Sequence, residues 1–215
     1  MTDHSALLVL DSICKSFGGK QVFNDFSHSF LPGCYALTGP NGVGKSTLLS
    51  LISGSDTFDS GRIIVGKADL QLKPVTAKKL MAFVPDKSMI FPFMTGREFI
   101  SLVSKVRKIK DRSLAEKLLS DFNLGPHYSK PFSDLSLGTQ KKFHIVAALI
   151  GDPAVLLMDE PTNAIDDAAK SVLIDYLNRS RMSKVILCST HDETFISRLN
   201  MKKLKLSGTV NSGFL

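Results

Sequence analysis

A glycine-rich segment at residues 39–47 limits most strongly what this chain can fold into. It reads GPNGVGKST and fits the pattern GxxxxGK[ST]. Glycines let the main chain turn tightly, so that successive N–H groups converge on one anion at the start of a helix. The pattern therefore predicts a loop that holds nucleotide phosphates. The candidate binding residues are Gly39, Pro40, Asn41, Gly42, Val43, Gly44, Lys45, Ser46 and Thr47.

The sequence on either side of this segment supports the same interpretation. Apolar residues 34–38 predict a buried strand before the loop, and residues 48–52 predict a helix after it. A chance glycine turn beside a lysine would lack this strand, loop and helix order. We expect Lys45 to bridge the β- and γ-phosphates and to be required for catalysis, and the Ser46 hydroxyl to bind Mg²⁺.

Length and composition favour one α/β domain. The chain has 215 residues, 43% of them hydrophobic, which is enough for a packed core. The apolar runs fall far short of the roughly 20 residues of a membrane-spanning helix, and the N-terminus has no signal-peptide pattern. We therefore expect a cytoplasmic protein. The three cysteines lack metal or disulfide spacing and are predicted to be buried thiols.

The charge of the chain does not identify a partner. The formal net charge is +7, which would suit nucleic acid or an anionic membrane. The basic residues form separate clusters at 105–112, at Lys141 and Lys142, and at 201–205. We predict that each cluster is a solvated face.

Hydrophobic periodicity divides the chain into three parts. Residues 8–65 read mostly as strands and predict an antiparallel β portion. Thr95 and Glu98 form a capping-box pattern before an apolar helical stripe, and residues from about 87 to 134 are predicted as a helical insertion. Strands and helices alternate afterwards. The whole predicts an α/β fold with a mostly parallel sheet.

Polar residues follow two apolar strands in the second half. Residues 155–158 precede Asp159 and Glu160, and residues 185–188 precede the segment that ends in His191. Parallel sheets bind ligands beyond the carboxyl ends of their strands. Asp159 suits a magnesium-facing carboxylate, Glu160 a general base, and His191 a contact to the γ-phosphate or the attacking water. An acidic helix cap and a structural histidine are the alternatives.

A second anion site is predicted between the two halves. Ser136 and Gly138 lie in the segment LSLGTQKK, directly before an apolar helix. The N-terminus of that helix could bind an anion. Alone, this short string is more typical of an ordinary N-cap.

These motifs together resemble the nucleotide-binding subunit of ATP-binding cassette (ABC) transporters, of the small bacterial exporter type. The resemblance implies a P-loop NTPase core and a single cassette over residues 1–215. It implies ATP and Mg²⁺ as cofactors, and ATP hydrolysis coupled to transport by a separate transmembrane permease. ATP would bring two copies together, as a homodimer or as a pseudo-dimer with a second cassette. The protein would then lie peripherally on the inner face of the cell membrane, without direct contact to nucleic acid.

Further roles follow from the resemblance alone. Phe17 matches the aromatic residue that stacks on adenine, although a core position is the alternative. Ser136 and Gly138 match a signature that contacts ATP held by the partner subunit. The segment at 164–166 matches the loop through which the two sites communicate. The segment at 91–95 resembles the wall of the groove that receives a permease helix, and it is equally consistent with core.

Two residues depart from the family pattern. Asp86 stands where glutamine commonly binds Mg²⁺ and water, so that an oxygen ligand is kept but charge is added. The signature LSLGTQ lacks the second glycine and has its glutamine one residue later. Two other classes stay open at this point: a soluble ABC ATPase acting on nucleic acid or ribosomes, and a nucleotide switch that does not hydrolyse ATP.

Overall fold

Strands alternate with helices along most of the chain. The computed structural model describes residues 6–87 and 90–207. The strands are β1 (Leu8–Phe17), β2 (Lys20–Phe30), β3 (Gly33–Thr38), β4 (Ser60–Val65), β5 (Ala68–Asp69), β6 (Met81–Val84), β7 (Val155–Asp159), β8 (Val185–Ser189) and β9 (Lys202–Lys205). The α-helices are α1 (Lys45–Ser53), α2 (Pro74–Lys79), α3 (Gly96–Val106), α4 (Ser113–Asp121), α5 (Leu137–Leu149), α6 (Asp167–Ser180) and α7 (Glu193–Arg198). Short 3-10 helices cover Gly125–His127 and Phe132–Asp134.

The first part of the chain builds an antiparallel sheet. Its strand order is β2-β1-β4-β5, and all three pairings are antiparallel. β1 and β2 form a hairpin through Gly18 and Gly19, both with positive φ, which glycine adopts without steric cost. The predicted antiparallel portion is confirmed.

The second sheet is parallel and has the order β6-β7-β8-β3-β9. Ser189 at the end of β8 pairs with Leu37 on one side and with Asp159 on the other. Three strands therefore end side by side, directly before the phosphate loop, Glu160 and the segment that leads to His191. The edge strand β9 was not predicted as a strand, but its lysines are exposed, as expected of a solvated face.

Successive side chains of the parallel strands point to opposite faces of the sheet, and each face packs against its own hydrophobic core. Leu156 and Ile186 face a cluster that includes residues of α3, α5 and α6. Leu157 and Leu187 face the other way, towards α1 and the antiparallel sheet. Because both faces are covered, the strands read as continuous apolar runs. Of the three predicted buried thiols, those on β3 and β8 are buried, and Cys14 is only half-buried.

Between β6 and β7 the chain is helical, as predicted. The Thr95 Oγ1 accepts from the Glu98 N–H at 3.2 Å, while Glu98 Oε2 accepts from the Thr95 N–H at 2.8 Å, which confirms the capping box. The Arg107 guanidinium ties the end of α3 to the Met81 carbonyl at 2.8 Å. The boundaries at 87 and 134, and a single domain over 1–215, stay predictions. Within the described ranges, no helix has the length and apolarity needed to cross a membrane.

Candidate nucleotide site

The glycines of the phosphate loop are required by close packing. Gly39 has φ 141°, and a Cβ there would lie 2.5 Å from the Leu206 carbonyl oxygen. Gly44 has φ 110°, and a Cβ there would lie 2.8 Å from Val22 Cγ1. An L side chain at either position would therefore be strained and would also clash. Because neither position can carry a side chain, the main chain itself lines the turn from β3 into α1 there.

The start of α1 is suited to an anion. Among the described residues, no side chain caps this helix, so its first N–H groups are left for another acceptor. Lys45 is buried, and its ammonium donates to the carbonyls of Gly39 at 2.9 Å and Pro40 at 3.2 Å. A buried ammonium and uncapped N–H groups make this end of the helix positive.

A cavity of about 430 Å³ lies over the loop. This volume is within the usual range for small-molecule sites, about 300–1,000 Å³. It brings together half of the sixteen predicted site residues on one surface. Its lining comprises Asn41, Gly42, Gly44, Lys45, Ser46, Thr47, Glu160, Asn163, Ser189 and His191.

Hard oxygen atoms meet at one side of this cavity. Asp159 is buried, and its Oδ1 accepts from the Ser46 hydroxyl at 3.1 Å and from the Ser189 hydroxyl. No group of three or more His, Cys, Asp or Glu side chains that could hold a metal occurs in the described part of the chain. Mg²⁺ in nucleotide sites is usually held by one or two protein oxygens together with phosphates and water. The Ser46 and Asp159 donor set fits such an ion.

Glu160 is held in an unusual backbone conformation beside this corner. Its φ is +45°, and its N–H donates to the Ser189 carbonyl at 3.0 Å. Burial raises the pKa of its carboxyl group, while the nearby His191 lowers it. His191 Nε2 lies 3.7 Å from Glu160 Oε1, and the imidazole is largely exposed. Left-handed backbone at a non-glycine residue and a raised pKa are both typical of functional sites.

Ser136 and Gly138 do not line this cavity. The Ser136 hydroxyl accepts from the Thr139 N–H at 3.2 Å, so that it caps α5, as the alternative interpretation had it. Gly138 packs against the loop before α6, where a Cβ would lie 2.1 Å from the Ala164 carbonyl oxygen. Leu137, between them, is 73% exposed. Any nucleotide contact of this segment therefore lies outside the cavity over the phosphate loop.

A second cavity, of about 380 Å³, lies between α5, the segment that follows β6 and the loop that follows β7. Asn163 lines both cavities, so they are neighbours. Asp86 lines only the second, with Oδ1 3.8 Å from Lys141 Nζ. The predicted solvated face at Lys141 is wrong: this side chain is 5% exposed, because the strand ends cover α5 here.

Phe17 and the two phenylalanines of the segment at 91–95, for which a core position was the alternative, are exposed. Phe17 is 47% exposed, and the Lys15 ammonium lies 4.3 Å from its ring centroid. Phe91 and Phe93 are 62% and 76% exposed, and their rings stack at 5.5 Å. Neither segment is core, so both are available for contact. Roles in adenine stacking and permease docking stay predictions, as do those of the other site residues.

Sequence reasoning assigned no role to three residues at or beside the site. Ser189 lies in the polar segment that was predicted to face the phosphates, directly after an apolar strand, but it was given no role of its own. Asn163 and Lys141 carry no such local signal, because their positions depend on how α5 and the loop after β7 pack.

Comparison with known proteins identifies the family. A family profile described as ABC transporter matches residues 23–163, more than half of the chain. The chain belongs to the ABC transporter family. The matched range contains the phosphate loop, the signature and the acidic pair of the cassette. The resemblance on which the sequence analysis relied is therefore confirmed.

Relatives of the cassette include much longer proteins. It is 33% identical over 162 residues to the rat Phospholipid-transporting ATPase ABCA3, covering 74% of the cassette and 10% of the relative. It is 33% identical over 187 residues to the Nod factor export ATP-binding protein I of Rhizobium etli, covering 83% of the cassette and 58% of the relative. The chain thus spans only part of the length of these relatives.

Solved structures agree with the fold. A structure described as the ATP binding subunit of an ABC transporter superposes with a TM-score of 0.82 at 23% identity, covering 93% of this chain and 85% of that one. A bacterial Atm1-family ABC exporter with ATP bound superposes with a TM-score of 0.80 at 18% identity, covering 96% and 38%. The predicted α/β fold, with its antiparallel portion and helical insertion, is confirmed.

Gly138→Ala tests the packing of the signature against the loop before α6. We expect the added Cβ to lower the free energy of unfolding of the cassette by about 1–3 kcal/mol, as overpacking does. The melting temperature would fall by about 2–4 °C for each kcal/mol in a chain of this size. Gly125→Ala is the control, because a Cβ there meets nothing within 4 Å. Equal melting temperatures for the two variants would refute the close contact.

Proposed function

We propose that the cassette is the ATP-binding and ATP-hydrolysing subunit of an exporter-type ABC transporter. Two cassettes would close on ATP and drive a separate membrane permease, which would hold them at the inner face of the membrane. The observation that carries the proposal is the meeting of Lys45, Glu160 and His191 around one cavity at a helix N-terminus, where Ser46 also contacts the buried Asp159.

Binding of the triphosphate would use the main chain first. The loop N–H groups would receive the phosphates, and Lys45 would exchange its carbonyl partners for β- and γ-phosphate oxygens. Ser46 and Asp159 are the residues that would hold Mg²⁺, with Asp86 as a further proposed oxygen ligand. The ion would neutralise phosphate charge. Phe17 would supply the exposed face on which adenine stacks.

Glu160 is suited to act as the general base. It would take a proton from a water molecule whose oxygen attacks the γ-phosphorus, while the bond to the leaving oxygen of ADP breaks. Its raised pKa improves proton affinity, and the neighbouring Ser189 carbonyl fixes its backbone. His191 would donate a hydrogen bond to the γ-phosphate or orient the water. ADP and inorganic phosphate are the products.

A dimer would explain why the signature stands apart from the cavity. Ser136 and Gly138 do not contribute to the lining of the phosphate cavity in their own chain, so a nucleotide they contact would belong to a partner copy. The partner would be identical or a second, related cassette. The exposed pair of Phe91 and Phe93 offers an apolar contact for the permease. Export is supported by the name of the Rhizobium relative alone.

Glu160→Gln separates hydrolysis from binding. We expect steady-state ATP turnover to fall by about 100-fold or more, since a general base typically contributes 10²–10⁴-fold. The ATP dissociation constant should stay within about twofold, because the substitution keeps the side chain's size. Glu116→Gln, on an exposed face of α4, is the control and should leave turnover unchanged. Unaltered turnover in Glu160→Gln would exclude the base role, and wild-type protein that binds but never hydrolyses ATP would support a switch.

Lys45→Ala tests the phosphate loop itself. Removing a charge-assisted contact should weaken ATP binding by about 10- to 100-fold. Titration calorimetry with Mg-ATP measures this directly. Lys67→Ala, an exposed lysine in the turn between β4 and β5, controls for the loss of one positive charge. Equal dissociation constants for the two variants would rule out phosphate binding at the loop.

A further inference from the structure

Lys141 is a buried cation that the proposed reaction does not use. It lies in the second turn of α5, and its ammonium is within hydrogen-bond distance of three main-chain carbonyls: Pro85 at 2.8 Å, Asp86 at 3.0 Å and Asp159 at 3.1 Å. An ammonium has three N–H donors, so these contacts use all of them. The lysine is thus fully committed to main-chain acceptors.

The three carbonyls belong to two neighbouring strand ends. Pro85 and Asp86 directly follow β6, and Asp159 is the last residue of β7. The pairing of β6 with β7 ends at Val84 and Met158, so the carbonyls of Pro85 and Asp159 lie beyond the ladder between these two strands. Lys141 therefore connects the carboxyl ends of β6 and β7 to α5, the helix that begins at the signature.

The position of Lys141 also matters for charge. Burial lowers the pKa of the Lys141 ammonium, and the carboxylates of Asp86, Asp159 and Glu160 oppose this shift by favouring the charged form. Asp86 lies on the solvent side, with its Oδ1 at 3.8 Å from the ammonium. Without Lys141, Asp86 would add an unbalanced negative charge beside Asp159 and Glu160.

We propose that Lys141 is a positioning residue that fixes the ends of β6 and β7 to the signature helix and offsets the charge of Asp86. Through the Asp159 carbonyl it sets the backbone from which Glu160 projects. If a partner cassette displaced α5, the contacts of Lys141 would then shift Glu160 and the segment at Asp86 directly. This inference rests on the proposed function for its catalytic consequence, but not for its structural one.

Hydrogen exchange of the nucleotide-free protein tests the structural part. In Lys141→Met, which keeps an unbranched side chain without the ammonium, amides in peptides covering 84–87 and 159–163 should exchange about tenfold faster or more. Peptides from β1 and β2 should exchange as in the wild type. Lys142→Met is the matched control, because its ammonium contacts Asp166 instead and should leave the strand-end peptides unchanged. Unchanged exchange at both strand ends, or equal acceleration over the whole chain, would overturn the proposal.

Kinetics test the catalytic part. We expect Lys141→Met to lower kcat about tenfold or more while the ATP dissociation constant stays within about twofold, because the lysine does not line the phosphate cavity. Adding Asp86→Asn keeps a side-chain oxygen at this proposed Mg²⁺ ligand but removes the uncompensated charge, and it should raise kcat at least threefold above that of Lys141→Met. A double variant with the product of the two single effects would contradict the charge-offset role. Wild-type protein without ATPase activity would refute the proposed function, while the exchange experiment would still decide on Lys141.

Discussion

One carboxylate oxygen joins the elements on which the nucleotide site depends. Oδ1 of Asp159, at the end of β7, accepts from Ser46 at the start of α1 and from Ser189 at the end of β8. Since parallel strands present their carboxyl ends at one edge, this contact forms where the phosphate loop and the acidic pair already meet. Glu160 follows Asp159 directly. Its left-handed backbone and the hydrogen bond from its N–H to the Ser189 carbonyl set the direction of its side chain.

Charge in this region is balanced by two lysines with different partners. Lys45 lies over the phosphate loop and holds two carbonyls that a triphosphate would replace. Lys141 lies between α5 and the strand ends, where its ammonium donates to three main-chain carbonyls of the fold itself. The first cation therefore suits ligand binding, and the second suits the coupling of the signature helix to the site.

The sequence predicted those parts of the site that local pattern determines. Glycine spacing located the phosphate loop, and apolar runs followed by polar residues located Asp159, Glu160 and His191, because strand ends and helix starts have local signals. It did not predict the burial of Lys141, the contact of Gly138 with Ala164, or Asn163 at the junction of two cavities. These depend on how the helical insertion packs against the parallel sheet, which no short window contains. The exposure of Phe17 was likewise decided by tertiary structure.

Sedimentation of the purified Glu160→Gln protein, with and without Mg-ATP, measures whether the nucleotide brings two cassettes together. One cassette carries the phosphate cavity and the signature on separate surfaces, so ATP that cannot be hydrolysed should bring two copies together. We expect a shift from monomer to dimer that needs Mg-ATP and disappears when Lys45 is also replaced by alanine. A protein that binds Mg-ATP and sediments as a monomer at every concentration tested would contradict the proposed ATP-dependent dimer.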